Sequence, residues 1–177
     1  MPHVAFVLFS GLRVHEARLR EMGMTLPGLA SRRETLAELP GLGLLTLARM
    51  LPPDWSCSYH TSSDDLESLV ATLVEEQPDL VAISALAASI EEAYRCTSLL
   101  RCENVPVVIG GLHATACPGE VESHGATAVV GEGEAVWPEV LADAKRGDLQ
   151  PIYRSADVAQ PPSWPEPRFD LLPGVPS

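Results

Sequence analysis

The stretch VVIGGLHATACPGEVESHGATAVVGEGEAVW, Val107–Trp137, decides the fold. It holds two apolar runs of strand length, Val105–Ile109 completed just upstream and Ala126–Val130, and each run stops at glycines: Gly110-Gly111 after the first, Gly131 and Gly133 after the second. Neither run alternates apolar with polar residues, the pattern of a parallel strand covered on both faces. Pro118–Ser123 predicts a short helix between them, and Glu132–Arg146 a longer one closed by Gly147. Two strand–helix units in succession imply a parallel sheet. Glycines at both carboxyl ends imply that something must approach the backbone there, because glycine has no Cβ to hold it off.

Working outward, the same pattern recurs. His3–Phe9 is a continuous apolar run ending at Ser10-Gly11, and a strand follows at about Trp55–His60 after a buried helix over Pro40–Leu51 that Pro52-Pro53 stops. Leu66, Leu69, Val70, Leu73 and Val74 carry helical spacing, with Ser63 as the expected N-cap. Asp79–Ser84 predicts the third strand, and Ser89-Ile-Glu-Glu92 has capping-box form, opening a helix to about Arg101. Residues 10–39, interrupted by Gly23, Pro27 and Gly28, read as a long excursion. The expectation is one doubly wound α/β domain over residues 1–147, with a five-stranded parallel sheet and right-handed crossovers. Seven of the sixteen prolines fall between Pro151 and Pro176, so residues 148–177 read as an extended strap or linker leading out of the domain.

Composition narrows the partners. Twelve Lys and Arg against 24 Asp and Glu give a net charge of −12, which works against nucleic acid and anionic membrane. No apolar run reaches the roughly 20 residues that span a bilayer. Cys57, Cys96, Cys102 and Cys117 show no C-x-x-C spacing and no signal peptide precedes the first strand, so a reduced cytoplasmic setting is expected.

In an open parallel sheet, ligands bind beyond the carboxyl ends of the strands. There the third strand offers Ser84-Ala85-Leu86, the fourth Gly110-Gly111 followed by His113 and Thr115, and the fifth Gly131-Glu132-Gly133-Glu134. A polyphosphate is disfavoured: neither G-x-G-x-x-G nor G-x-x-x-x-G-K-[ST] occurs, and Glu132 and Glu134 crowd the helix start with negative charge. A hydroxyl beside two glycine turns suits a bulky ligand of low charge. No catalytic acid, base or nucleophile stands out; Tyr59 and Trp137 read as packing aromatics, and His60 and His124 have weaker claims than His113.

Five segments, in this order and spacing, carry a resemblance: LPGLGLLTLARMLP (39–52), PDLVAISAL (78–86), VPVVIGGLHATACPGEV (105–121), VVGEGEAVWPEVLADAKRGDLQPIY (129–153) and PPSWPEPRFDLLP (161–173). Together they resemble the amino-terminal cobalamin-binding domain of cobalamin-dependent radical S-adenosylmethionine (radical SAM) proteins. The resemblance implies a flavodoxin-like fold with the cofactor's nucleotide tail between sheet and helices. Ser84 would then bond the benzimidazole, Gly110 and Gly111 would floor its pocket, and the Gly131–Glu134 turn would border the nucleotide. It also implies a radical SAM core as partner, in cis or in trans, and methyl transfer as the chemistry.

Two departures from the family pattern matter. The D-x-H-x-x-G motif that supplies a cobalt-ligating histidine is not found after the first strand: Arg13-Val-His15-Glu-Ala-Arg18 keeps His15 without the orienting aspartate or the glycine, and direct ligation by His15 loses its support. The cysteine triplet of a radical SAM core, C-x-x-x-C-x-x-C, does not occur either, so no iron–sulfur cluster is expected in this chain. The chain then reads as part of a longer enzyme or as an independent module. A cobalamin carrier or sensor without catalysis, and a flavodoxin-like domain that has lost its ligand, are the alternatives.

Overall fold

The computed structural model describes residues 1–9, 40–62, 65–155 and 165–172. Three expectations lie outside the described residues: the excursion over 10–39 with its His15, the cap at Ser63, and the middle and end of the strap. Within them, six strands run parallel in the order β2-β1-β3-β4-β5-β6. They are β1 (His3–Phe9), β2 (Ser56–Thr61), β3 (Leu80–Ala85), β4 (Val107–Gly110), β5 (Thr127–Val130) and β6 (Ile152–Arg154). The order reverses between β1 and β3, which is the flavodoxin-like doubly wound arrangement. Five strands were expected and six are present. The extra one lies at the start of the strap, where Tyr153 is buried and its hydroxyl donates to the Asp143 carboxylate at 2.6 Å.

The helices are α1 (Leu42–Arg49), α2 (Leu66–Glu75), α3 (Ile90–Cys102), α4 (Leu112–Ala116), α5 (Pro118–Ser123) and α6 (Gly133–Arg146). Strand periodicity of two sorts their partners. Val81, Ile83, Val107, Ile109 and Ala128 point to the face covered by α2, α3, α4 and α5. Phe6, Leu80, Ala82, Val108 and Val129 point to the opposite face, covered by α1 and α6, where Trp137 packs on Phe6 with ring centroids 5.8 Å apart. Both faces are buried, as the unbroken apolar runs require. Beyond β6 the strap returns to the second face: the Arg168 amide donates to the Leu45 carbonyl at 3.1 Å and Leu171 packs against that core.

The starts of α2 and α3 are fixed by different means. Asp65 caps α2, its carboxylate accepting from the Ser68 amide at 3.0 Å. The capping box at Ser89 does not form: its hydroxyl donates instead to the Phe9 carbonyl at 3.1 Å, tying the start of α3 to the carboxyl end of β1. That buried carbonyl, 80 residues away in sequence, is a partner no local pattern discloses.

Candidate functional site

On the α1/α6 face the strands taper toward their carboxyl ends. Reading every second residue, β3 goes Leu80, Ala82, Ser84; β4 goes Val108, Gly110; β5 goes Val129 and on to Gly131. On the other face Ile83 and Ile109 stand one residue earlier, and Ala85 at the rim is buried in the core beneath α2–α5. A cavity of about 200 Å³ opens between these strand ends and the first turns of α1 and α6. The neighbouring helix contributes Gly43 and Leu47, and Trp137 of α6 lines the space as well.

Seven predicted residues meet at this cavity: Ser84, Gly110 and Gly111 from the first two strand ends, and Gly131, Glu132, Gly133 and Glu134 from the third. The glycines do different work there. A Cβ on Gly110 would stand 3.8 Å from the Val129 Cβ, an ordinary contact, so a side chain fits sterically and would occupy cavity. Gly111 has φ +109°, and a Cβ there would come within 3.1 Å of the Ala85 carbonyl oxygen; its backbone needs glycine whatever the cavity holds. The Ser84 hydroxyl makes no hydrogen bond with the described residues, and the buried Trp137 indole N–H has no acceptor among them.

Four predicted residues are placed elsewhere. Ala85 is buried in the core of the opposite face, as strand alternation dictates one residue after Ser84. Leu86 precedes a 3-10 turn and is 45% exposed. The His113 ring lies against Tyr94, centroids 6.4 Å apart, and its Nε2 stands 3.4 Å from a Glu120 oxygen. Thr115 braces the site: its Oγ1 accepts from the Gly131 amide at 3.1 Å, joining the chain after β4 to the turn after β5. Residues the sequence reading missed, Gly43, Leu47, Ala82, Val108 and Val129, share a signal that could have found them. They lie two residues before the rim on the same strand face, or on the helix that must cover it.

The donors available suit one weak negative charge. The first amides of α6 lack intrahelical partners, and this helix start lines the cavity between Glu132 and Glu134. Size argues the same way. A cavity of about 150 Å³ takes benzene, so this one has room for a flat bicyclic base and too little for a macrocycle.

Residues 30–141 match the family model of the B12 binding domain. The chain belongs to the B12-binding domain family. Curated relatives include an uncharacterized methyltransferase of Synechocystis sp., 29% identical over 138 residues that make up 76% of this chain and 25% of that protein. Two from Chlorobaculum tepidum are the bacteriochlorophyllide d C-12(1)-methyltransferase, 29% identical over 93 residues (52% of this chain, 20% of the relative), and the C-8(2)-methyltransferase, 33% identical over 79 residues (45% and 18%). The chain thus spans a quarter or less of the length of these relatives. The residues present fit the cofactor of the family: a glycine whose side chain would fill the cavity, an unpartnered hydroxyl, and an indole N–H without an acceptor all face or line one slot. Among the described residues of this B12-binding domain, no helix is long and apolar enough to cross a membrane.

Proposed function

We propose that this domain holds cobalamin by its nucleotide tail and presents the cobalt, beyond the carboxyl edge of the sheet, to a radical SAM core in cis or in trans for methyl transfer. The observation that carries the reading is the cavity at the carboxyl ends of β3, β4 and β5, lined by Ser84, Gly110 and the Gly131 turn. The relatives named as methyltransferases support the reaction class. When bound, cobalamin supplies a metal centre able to accept and donate a methyl group.

The chain's own residues then have separable tasks. The Ser84 hydroxyl donates to an acceptor nitrogen of the base, which fixes the ring's orientation in the slot. Gly110 leaves the base its width, Val108 and Val129 give it apolar walls, and Trp137 closes the inner end. Amides at the start of α6 receive the single phosphodiester, while Glu132 and Glu134 select against a more highly charged ligand. No imidazole is assigned to cobalt: His15→Ala leaves the visible spectrum of the bound corrinoid unchanged, and a shifted spectrum would place His15 on the metal.

The test is retention of hydroxocobalamin through desalting, read by corrin absorbance. The wild-type chain and Gly119→Ala, at a helical position with open space around it, retain the cofactor. Gly110→Leu, which fills the slot from a residue with ordinary backbone geometry, loses it. A wild-type chain that elutes free of corrin overturns the reading, and retention by Gly110→Leu overturns the placement of the tail.

A further inference from the structure

On the sheet face opposite the cavity, α4 and α5 meet at Cys117, with Ala114 and Val121 buried beneath them. Three side chains of different ligand type converge above that junction. The His113 Nε2, the Cys117 Sγ and a Glu120 carboxylate oxygen all lie within 4.8 Å of one another. The backbone brings them there: Cys117 N–H donates to the His113 carbonyl at 2.8 Å, and Glu120 N–H to the Cys117 carbonyl at 3.1 Å, so two short helical turns stack the three residues on one side.

The distances suit a tetrahedral ion. Nitrogen and oxygen ligands about 2.0–2.1 Å from zinc stand about 3.4 Å apart at tetrahedral angles, and a thiolate at about 2.3 Å stands about 3.6 Å from either. His113 Nε2 and the Glu120 oxygen are 3.4 Å apart. They do not form a hydrogen bond, and the buried Nε2 has no hydrogen-bond partner among the described residues. The Cys117 side chain, which would complete the set, is exposed and within 4.8 Å of both.

A second observation points to the same spot. Tyr94 is 2% exposed, and its hydroxyl has no hydrogen-bond partner by geometry among the described residues. Glu120 and Cys117 are its ionisable neighbours. Its ring meets the edge of the His113 ring, and a metal-bound water there would donate to the phenol oxygen.

We propose that His113, Cys117 and Glu120 bind one zinc-type divalent cation through Nε2, Sγ and a carboxylate oxygen, with the fourth position taken by a water hydrogen-bonded to Tyr94. Binding displaces the Cys117 thiol proton to solvent. The ion pins the α4–α5 junction and with it Thr115, which holds the Gly131 turn of the cavity. Its role is to stiffen one wall of the cofactor site from outside it.

The experiment uses the 177-residue chain without cobalamin, so its outcome is independent of the corrinoid reading. Zinc is titrated against a chromophoric chelator, and cobalt(II) serves as a spectroscopic probe of thiolate ligation. The wild-type chain binds one zinc, and its cobalt(II) form shows thiolate-to-metal charge transfer in the near ultraviolet. Cys117→Ser, an exposed and nearly isosteric change, abolishes that band. Cys117→Ser and Glu120→Gln each weaken zinc by at least the roughly 10-fold that loss of an outer-shell partner costs. His60→Gln, in a separate histidine cluster, leaves the affinity unchanged. Wild-type binding no tighter than that of Cys117→Ser, loss of binding in His60→Gln, or no binding by the wild-type chain overturns the proposal.

Discussion

Two adjacent glycines that read as one feature in the sequence have unlike physical reasons for being glycine. At Gly111 the constraint is the backbone: φ is +109° and an added Cβ meets the Ala85 carbonyl oxygen at 3.1 Å. Gly111→Ala is expected to cost about 1–3 kcal/mol of unfolding free energy, the penalty for a non-glycine residue held in that region. At Gly110 the constraint is the space beyond it, so Gly110→Ala changes stability little in the same urea titration while taking volume from the slot. A result with the costs reversed would mean that the slot, rather than the turn, fixes Gly111. The composition of the rim was legible because small residues at strand ends are visible one by one. The direction of each side chain was not: Ala85 and Leu86 adjoin Ser84 in sequence, yet alternation turns one to the other face and the strand's end leaves the other in solvent. His113 went the same way, because the short helix that carries it off the rim has no distinct apolar period.

At the scale of elements, the strands buried on both faces were legible and the strand that depends on a partner was not. Ile152–Arg154 is three residues long, follows a proline, and buries one side chain, so nothing local marks it as β6. Its anchor is Tyr153, whose hydroxyl donates to Asp143 at 2.6 Å and accepts from the Gln150 amide at 3.0 Å. Asp143 is 4% exposed and also paired with Arg146, so the strap is held by a carboxylate inside the second core. Burial and the Asp143 hydrogen bond push the Tyr153 phenol up to about 12. Tyr153→Phe keeps the packing and removes the donor, leaving Asp143 with Arg146 alone. The expected cost is about 1–3 kcal/mol, with faster amide exchange at β6 than at β3. Unchanged stability would show that apolar packing of the ring docks the strap without the carboxylate. The same distinction explains the failed capping box, since Ser89 found a better acceptor across the fold than its own helix offered.

For the whole molecule, the legible part was what repetition specifies: parallel strands alternating with helices, and small residues at their carboxyl edge. What escaped was closure at the sheet's two margins, where single contacts between distant segments decide the outcome. The β2 margin gives the clearest test. Glu76, at the end of α2, accepts from the Ser58 hydroxyl at 2.6 Å and pairs with His60 at 3.1 Å, while His3 of β1 stands 3.5 Å away. Burial alone would raise this carboxyl, but the Ser58 hydrogen bond and the two imidazoles outweigh it and hold Glu76 below the ordinary 4.5. A carboxyl depressed in the folded state contributes stability that is complete above the unfolded value and disappears as pH falls through the folded one. Glu76→Gln removes that contribution at every pH. In urea titrations across a pH series, the wild-type chain is therefore expected to exceed Glu76→Gln at about pH 5, above the unfolded value. The two curves then converge below 4.5 as Glu76 takes up its proton. A margin that persists into strong acid would mean that the substitution acts through packing, and that β2 is held to α2 by shape rather than by charge.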